Sequence, residues 1–172
     1  LRSMTQIPAI AAVGSAQCPE QLAVLAAPYA QIGPASVIGA DGTLACTIEP
    51  DTAKVNVADR DYFRKALRSQ DSVIGKTVTS RRYSGTYVLP VAMALRDGAG
   101  HETGWLVVGI NLNQFAKDNA ATWTDAGTIV TLWDQEPRIL FRWPDAQAWI
   151  GKGLAETALD EDGGQDASAL SG

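Results

Sequence analysis

The sequence predicts an α+β fold in which short helices accompany an antiparallel sheet. Two short apolar runs, 35–40 and 43–48, are joined by Asp41-Gly42, which is a strong hairpin signal. A short amphipathic helix is indicated over 59–67, and three strand-like runs follow it, at residues 74–80, 87–94 and 105–110. Because short polar turns separate these runs, we expect them to pair as an antiparallel meander.

Length and charge narrow the class of protein. The 172 residues suffice for one domain, or for one domain and part of a second, and 46% hydrophobic content predicts a packed core. Eight basic and two acidic residues lie within 60–96, whereas residues 153–172 hold five acids and no base. The net charge of −5 argues against a nucleic-acid partner. No apolar run approaches membrane-spanning length, and the start at Leu1 without a signal region predicts a processed or excised piece.

The N-terminal part, residues 1–33, is predicted to be helical. Apolar residues recur at helical spacing through residues 1–12, with Pro8 disturbing the middle, and a second helix is indicated at 19–27. After the hairpin, a loop leads to the helix at 59–67, for which Asp59 is the predicted N-cap. Arg60 falls in its first turn, where a cation and free N–H groups can meet an anion. Binding and simple pairing with Asp59 or Asp61 are equally compatible with Arg60 at this point.

The later strands differ in pattern. Residues 74–80 alternate as a half-buried strand, and Pro90 suggests an edge or bulge position for 87–94. The nearly continuous apolar run 105–110 predicts a central strand, and 112–119 a short helix that leaves the sheet.

A partial repeat suggests the start of a second module. Residues 35–51 read strand, turn, strand, Pro-Asp, and residues 129–145 repeat that order before a short helix-like segment at 146–154. The rest of the chain is acidic and glycine-rich without a strand pattern. We therefore expect a first module at 34–121 and a truncated or degenerate second module with an acidic tail at 122–172.

The two cysteines, Cys18 and Cys46, have two interpretations. In a cytosolic protein they would be small buried hydrophobes, and in an exported protein they would form one disulfide. We favour a structural disulfide, which would join the hairpin to the N-terminal helices.

No motif for catalysis, a metal or a cofactor is present. His101 lies in a glycine-rich turn far in sequence from either cysteine, and the acidic 160–162 triplet lacks EF-hand ligand order. We therefore expect no enzyme activity, no metal and no cofactor. Cationic and aromatic residues offer a binding site for a small anion or carboxylate instead. The alternative is that Tyr62 belongs to the core and that Arg81 and Arg82 are solvated in a turn, and for the arginine pair we favour this alternative.

Several segments in order resemble the extracytoplasmic Cache sensor domains, which are PAS-like, of bacterial membrane receptors such as histidine kinases, diguanylate cyclases and chemoreceptors. They are D-R-D-Y-F-R-K-A-L, V-I-G-K, S-G-T-Y-V-L-P-V-A and G-W-L-V-V-G-I-N-L. The resemblance covers residues 35–115, and the two cysteines are similar to those of alphaproteobacterial members. The resemblance implies a long N-terminal helix and a PAS-like antiparallel sheet, with a ligand bound between sheet and helix in this membrane-distal module. It also implies a double Cache domain whose second module begins with the repeat.

The resemblance also implies site residues. In amino-acid-binding members an R-x-W-Y motif holds the carboxylate and an Asp holds the amine; by position these match Arg60, Tyr62, Phe63 and Asn111, of which only the arginine is identical. Asn111 lacks the charge that pairs an ammonium, so a carboxylate or another anion is the expected ligand. The candidate ligand-binding residues are Arg60, Tyr62, Thr79, Arg81, Tyr87 and Asn111. The expected protein is a periplasmic, membrane-anchored sensor of a small molecule. Its N-terminal helix offers a surface for a homodimer. The alternative is a structural or dimerising module without a small ligand.

Overall fold

The chain is described by a computed structural model. It covers residues 5–48, 55–80, 86–119, 122, 128–134, 136–153 and 156. The chain divides into two compact units, Leu1–Phe115 and Ala116–Gly172, a few residues before the domain boundary predicted at residue 121. We describe each unit by itself.

The first unit is an antiparallel sheet with helices, as the sequence predicts. Its helices are α1 (Pro8–Ala11), α2 (Cys18–Ala26) and α3 (Asp61–Ala66), and α4 (Leu112–Asn119) follows the last strand. Its strands are β1 (Ile32–Ile38), β2 (Leu44–Thr47), β3 (Val73–Ile74), β4 (Val78–Thr79), β5 (Tyr87–Arg96) and β6 (Glu102–Asn111). The sheet order is β2-β1-β6-β5-β3, and β4 also pairs with β5. The α+β class is therefore confirmed.

The central strand is β6, which the apolar run at 105–110 predicted. It pairs with β1 on one side and with β5 on the other, so both of its edges are hydrogen-bonded. Six consecutive residues from Gly104 to Gly109 are buried. A strand covered on both faces needs apolar side chains at successive positions, which is why this run lacks alternation.

The edge of the sheet beside β5 is interrupted, which corrects the prediction of one continuous strand over 74–80. β3 and β4 are two residues each, and residues 75–77 between them are irregular. Pro90 faces this interruption: its carbonyl oxygen accepts the N–H of Gly75 at 2.8 Å. Since proline has no N–H for a continuous neighbour, the break accommodates it, and β5 itself is not an edge strand.

The two faces of the sheet pack against different elements. One face and the N-terminal helices share a core. Its fully buried members include Ile10, Leu22, Ala35, Leu95 and Leu106. α3 packs on the other face, where the Phe63 and Trp105 rings meet edge to face with centroids 5.4 Å apart. The sheet therefore separates an N-terminal core from the side on which a ligand site was expected.

The N-terminal helices that the structure describes are short, and residues 1–4, at the start of the long helix that the resemblance implied, lie outside the described residues. α1 has four residues and begins at Pro8, which cannot supply a helical N–H, and the left-handed Gly14 (φ 85°) separates it from α2. The predicted disulfide is confirmed: Cys18 and Cys46 are bonded, so the start of α2 is tied to β2. No helix in the described part of the chain has the length and apolar character needed to span a bilayer.

The N-cap prediction for Asp59 is wrong. α3 begins at Asp61, and Arg60 occupies the N-cap position in an extended conformation without a side-chain cap. The N–H of Arg60 donates to the Val57 carbonyl oxygen at 2.9 Å, so a tight turn over 57–60 precedes the helix. Asp59 therefore lies within this turn, and Arg60 lies at the entrance of the helix.

Asn111 is the N-cap of α4. Its side-chain Oδ1 accepts the backbone N–H of Gln114 at 3.1 Å, which satisfies one of the free donors of the first turn. We expect Asn111→Ala to destabilise α4 by about 1 kcal/mol, whereas Asn111→Asp keeps the acceptor and changes little. Hydrogen exchange of the α4 amides measures the difference, about fivefold faster in the alanine variant. Equal exchange in the alanine variant and the native chain would contradict the cap.

The second unit contains a hairpin followed by a short helix. Its elements are β7 (Val130–Trp133), β8 (Ile139–Trp143) and α5 (Ala146–Trp149). The Asp134 N–H donates to the Arg138 carbonyl oxygen at 3.0 Å, which closes the predicted turn, and the Arg142 guanidinium lies over the Trp149 ring at 4.6 Å. The order of elements is that of the predicted partial repeat, whose relation to the first module stays a prediction. Except for Glu156, the acidic tail lies outside the described residues.

Candidate functional site

A cavity of about 90 Å³ lies in the first unit, on the face of the sheet that packs against α3. Its described lining is mostly aliphatic and includes five polar residues. The lining residues with apolar side chains or none are Pro34, Ile38, Leu44, Val55, Val57, Val78, Val88, Pro90, Val107 and Gly109. The polar ones are Ser36, Arg60, Tyr62, Thr79 and Ser80.

Strand alternation forms the floor of the cavity. Val107 and Gly109 are alternate residues of β6, and Val88 and Pro90 are alternate residues of β5, so all four lie on one face. Gly109 contributes space, because a Cβ atom there would lie 3.0 Å from Pro34 Cγ and 3.4 Å from Val88 Cβ. The floor is thus an apolar surface with one position left without a side chain.

The segment at 55–57 forms part of the wall. The Leu44 N–H donates to the Val55 carbonyl oxygen at 3.1 Å, and the Val57 N–H donates to the Gly42 carbonyl oxygen at 2.9 Å. Gly42 is left-handed (φ 81°), and a Cβ atom there would lie 2.7 Å from the Ala58 nitrogen. Only glycine therefore fits this turn, which holds Val55 and Val57 against the cavity.

Among the lining residues that the structure describes, Arg60 is the one with a charged side chain. Its Nη2 donates a long hydrogen bond, 3.4 Å, to the carbonyl oxygen of Thr79. Asp61, one of the two acids predicted as structural partners of Arg60, instead pairs with Lys65 at 3.0 Å. Among the described residues no carboxylate pairs with the Arg60 guanidinium, and a guanidinium has five N–H donors. Most of its donors are therefore available to a ligand.

A buried hydroxyl pair includes Ser36, one of the polar lining residues. Ser36 Oγ donates to Thr47 Oγ1 at 3.3 Å, and Thr47 Oγ1 donates to the Ala35 carbonyl oxygen at 3.2 Å. Both residues are buried. Because the Ser36 proton is committed to Thr47, the Ser36 oxygen can act toward other groups only as an acceptor.

The structure brings together three of the six predicted site residues. Arg60, Tyr62 and Thr79 line the cavity. Thr79 pairs with Tyr87 across β4 and β5, so strand alternation directs both side chains to the face of the sheet opposite the cavity. Thr79 contacts Arg60 through its backbone carbonyl oxygen. Asn111 is outside the lining and caps α4. Arg81 falls outside the described residues. A ligand-binding role for any of the six stays a prediction.

Most of the cavity wall was missed from the sequence. Val55 and Val57 were assigned to a loop, and Ser36, Val107 and Gly109 were treated only as strand residues. Their strands were found, but the face that each residue occupies depends on pairing register. Phe63, the other aromatic of the predicted motif, belongs to the core, since only 1% of it is exposed.

The turn that carries His101 is held by local hydrogen bonds. Asp97 Oδ1 accepts the backbone N–H groups of His101 and Ala99, each at 2.9 Å. The His101 N–H, followed by the Ala99 N–H and the His101 side chain, lowers the pKa of Asp97. No cluster of potential metal ligands occurs among the residues that the structure describes. The hydrogen bonds to Asp97 therefore account for the conformation of this turn.

Comparison with known proteins identifies the fold. No protein-family profile and no curated protein matches the sequence. Among solved structures, the extracellular domain of rpHK1S-Z16, assigned as a histidine kinase, superposes with a TM-score of 0.70 at 26% identity, over 84% of this chain and 60% of that one. The chain has the fold of an extracytoplasmic Cache sensor domain. The predicted extracytoplasmic location agrees with this neighbour.

Other solved structures share the Cache fold at lower identity. An extracellular ligand-binding receptor from Desulfohalobium retbaense has a TM-score of 0.77 at 9% identity, over 90% of this chain and 28% of that one. The ligand-binding domain of the Pseudomonas aeruginosa amino acid chemoreceptor PctC, in complex with GABA, has a TM-score of 0.63 at 18% identity, over 91% and 72%. The chain thus spans less than two thirds of the first two neighbours' length.

Proposed function

We propose that this Cache domain is the extracytoplasmic sensing part of a bacterial membrane receptor and binds a small anion, such as a carboxylate, in the cavity beneath α3. The observation that carries the proposal is the Arg60 guanidinium, which lies at a mostly apolar cavity without a carboxylate partner among the described residues. The neighbours include an amino acid chemoreceptor crystallised with GABA, a small carboxylate, which supports a ligand of that size.

Arg60 suits a carboxylate for geometric reasons. Its guanidinium presents a planar fork of N–H groups that matches the two oxygens of a carboxylate. It lies beside an apolar wall, where a charge-assisted hydrogen bond is less weakened by water than on an open surface. Since α3 is short and begins directly after Arg60, a ligand that pulls on this side chain also acts on the position of the helix.

Signalling would follow from binding one state better than another. A ligand held between Arg60 and the sheet favours the arrangement in which α3 is closed on β5, and only that differential affinity can shift the equilibrium. The domain itself contributes no catalysis to this scheme. The proposal also includes a full protein that is anchored in a membrane and has a kinase, cyclase or chemoreceptor output. It further includes a homodimer formed through the N-terminal helices.

Replacing the guanidinium tests the site. We expect Arg60→Ala to weaken binding of a carboxylate ligand about 10- to 100-fold, since hydrogen bonds to charged groups contribute about 1.5–3 kcal/mol. Arg60 gives α3 no side-chain cap, so the substitution removes no helix-capping bond. Hits from a thermal-shift screen of small metabolites, followed by titration calorimetry of the native chain and the variant, provide the measurement.

Arg64→Ala is the matched control. Arg64 lies on the same helix, carries the same charge and donates only to the Ala58 carbonyl oxygen at 3.4 Å, outside the cavity lining. Its replacement should leave the dissociation constant unchanged. Equal losses in both variants would indicate a general effect of charge, and undiminished binding in Arg60→Ala would remove Arg60 from the site. A screen in which no small metabolite binds would refute the sensing function itself.

A further inference from the structure

The sheet beneath the cavity is irregular along one line that crosses its strands. This line runs through Pro34 of β1, Gly109 of β6 and Pro90 of β5, and all three residues line the cavity. We infer that the sheet bends along this line, that the bend changes the direction of α4, and that a molecule in the cavity acts on α4 in this way. The inference rests on the proposed function and deepens it, because it states how an occupied cavity is read out.

A β-bulge interrupts the β1–β6 ladder at this line. The register of the two strands shifts between Ile32 and Ala35. There, two residues of β1, Gly33 and Pro34, lie opposite the single residue Gly109 of β6. Proline has no N–H for a ladder and is tolerated inside a sheet at such a bulge. The hydrogen bonding between β1 and β6 is therefore weakest at the line.

A second additional residue lies on the other side of the line, at the edge of the sheet. Gly75 lies opposite Pro90, whose carbonyl oxygen accepts the Gly75 N–H at 2.8 Å. The next pair along this edge is Val78 with Val88, so the edge advances by three residues while β5 advances by two. The ladder is thus irregular on both sides of the same row, and β5 and β6 keep their register between the two irregularities.

The β5–β6 pair is itself weak at this row. Because the Pro90 carbonyl group points toward Gly75, Pro90 and Gly109 form a non-hydrogen-bonded pair. Gly109 does not have a positive φ, so the observed backbone would also admit an L side chain. The conformational freedom that glycine adds at this position is therefore available for bending.

The strand ends beyond the line stay paired and lead directly into α4. Ile110 pairs with Ile32, and the Asn111 N–H donates to the Gln31 carbonyl oxygen at 2.8 Å. α4 begins at the next residue, and the Asn111 side chain caps it. Since only two residues separate Gly109 from this helix, a bend at Gly109 is carried into α4 by a short, paired segment.

The cavity side of the line is closely packed. A Cβ atom at Gly109 would lie 3.0 Å from Pro34 Cγ, so the proline ring rests on the glycine. A Cβ atom at Gly75 would lie 2.9 Å from Pro90 Cγ and would overlap Tyr62 of α3. Bending toward α3 narrows the cavity and bending away widens it. An occupant that fits one width better therefore shifts the sheet toward the corresponding bend.

Relaxation dispersion of amide NMR signals tests the bend on the complete 172-residue chain without ligand, because hinge motions of this kind occur on the μs–ms timescale. We expect exchange with one common rate at Gly109, at Ile110 and through α4. We expect none at Met93 and Leu106, which pair with each other nearer the β5–β6 turn. An absence of exchange at the line and in α4 of the native chain would overturn the inference by itself.

A double variant, Pro34→Ala with Gly109→Ala, should stiffen the line. The change at residue 34 removes the ring atoms that a Cβ at residue 109 would meet, and it restores a backbone N–H. The population of the minor state should fall about two- to fivefold, which is the size of the effect that replacing glycine by alanine has on a backbone equilibrium. An unchanged population would contradict a hinge at Gly109.

Gly98→Ala is the matched control, because it makes the same exchange in the turn of the same hairpin, where a Cβ atom meets nothing within 4 Å. It should leave the dispersion unchanged, and an equal fall in both variants would overturn the inference. A hit from the thermal-shift screen should suppress the dispersion and shift the α4 signals. A hit that binds without either effect overturns the inference and leaves the sensing function standing. If no small metabolite binds, the proposed function fails and the read-out through α4 fails with it, whereas the dispersion data still decide whether the sheet bends.

Discussion

Removal of the Cys18–Cys46 disulfide should lower the free energy of unfolding of the N-terminal unit by about 3–4 kcal/mol. The bond closes a loop with a sequence separation of 28, and in the chain-entropy view it stabilises the fold by restricting the unfolded chain. Cys18 is fully buried and Cys46 is 5% exposed, so both lie inside the core shared by the N-terminal helices and the sheet. Without the bond, α2 is attached to β2 by side-chain packing alone.

The measurement is hydrogen exchange of β1 and β6 amides in a Cys18→Ala, Cys46→Ala double variant, because it reports on this unit separately from the second one. The native chain reduced with dithiothreitol is the matched control, since it loses the bond but keeps both sulfur atoms. Both samples should open more easily by a similar amount. A change below about 1 kcal/mol in both would show that the denatured chain is not restricted by this bond.

The same variant should keep its ligand affinity wherever it remains folded. Cys46 pairs with Val37 in the β1–β2 ladder and belongs to the core opposite the cavity, whose lining includes Ser36 and Ile38 instead. The disulfide therefore supports the sheet from the face that does not contact ligand. Its loss should appear as lower stability with an unchanged dissociation constant.

Substitution of Gly75 by alanine should destabilise the N-terminal unit by about 1–3 kcal/mol and weaken ligand binding together. A Cβ atom at residue 75 would overlap the Cβ of Tyr62 and lie 2.9 Å from Pro90 Cγ. Tyr62 is 8% exposed and is fixed on α3, so it has little room to yield. The extra carbon forces α3 away from β5 and moves two lining residues, Tyr62 and Pro90, apart.

Gly98→Ala is the control for this prediction. Gly98 lies in the turn between β5 and β6, and a Cβ atom there meets nothing within 4 Å. Urea unfolding of the N-terminal unit and titration with a ligand from the thermal-shift screen measure both effects. A Gly75→Ala chain as stable as Gly98→Ala would mean that α3 does not pack on the sheet as closely as the structure shows.

Local patterns in the sequence predicted most of the elements correctly. The Asp41-Gly42 turn, the apolar run of β6 and the helix after Asn111 each depend on neighbours within a few residues, and each is present. The local patterns gave a wrong prediction where a residue distant in sequence changed the local structure. The strand predicted at 74–80 is broken because Pro90, from the next strand, has no N–H to offer and Gly75 is confined beneath Tyr62.

The candidate site was predicted only in part for a related reason. Arg60 and Tyr62 were found because the helix entrance is a local feature, although the cap was placed one residue too early, at Asp59. Tyr87 was chosen on a correctly predicted strand, but its neighbour Val88 is the residue on the cavity face. A shift of one residue reverses the face of a strand, and chain pattern alone does not decide it where both faces are partly buried.

By itself the sequence determined the α+β class, the capacity for one disulfide and the arginine at the entrance of a short helix, since these follow from residue type and short-range periodicity. Tertiary structure alone decided that the 55–57 segment closes the wall, that Gly109 leaves the floor open, and that Asp61 pairs with Lys65 rather than Arg60. Each of these depends on contacts between residues far apart in the chain or on a choice among several partners. Such contacts are selected by the packing of the whole unit, which the residues near any one position do not encode.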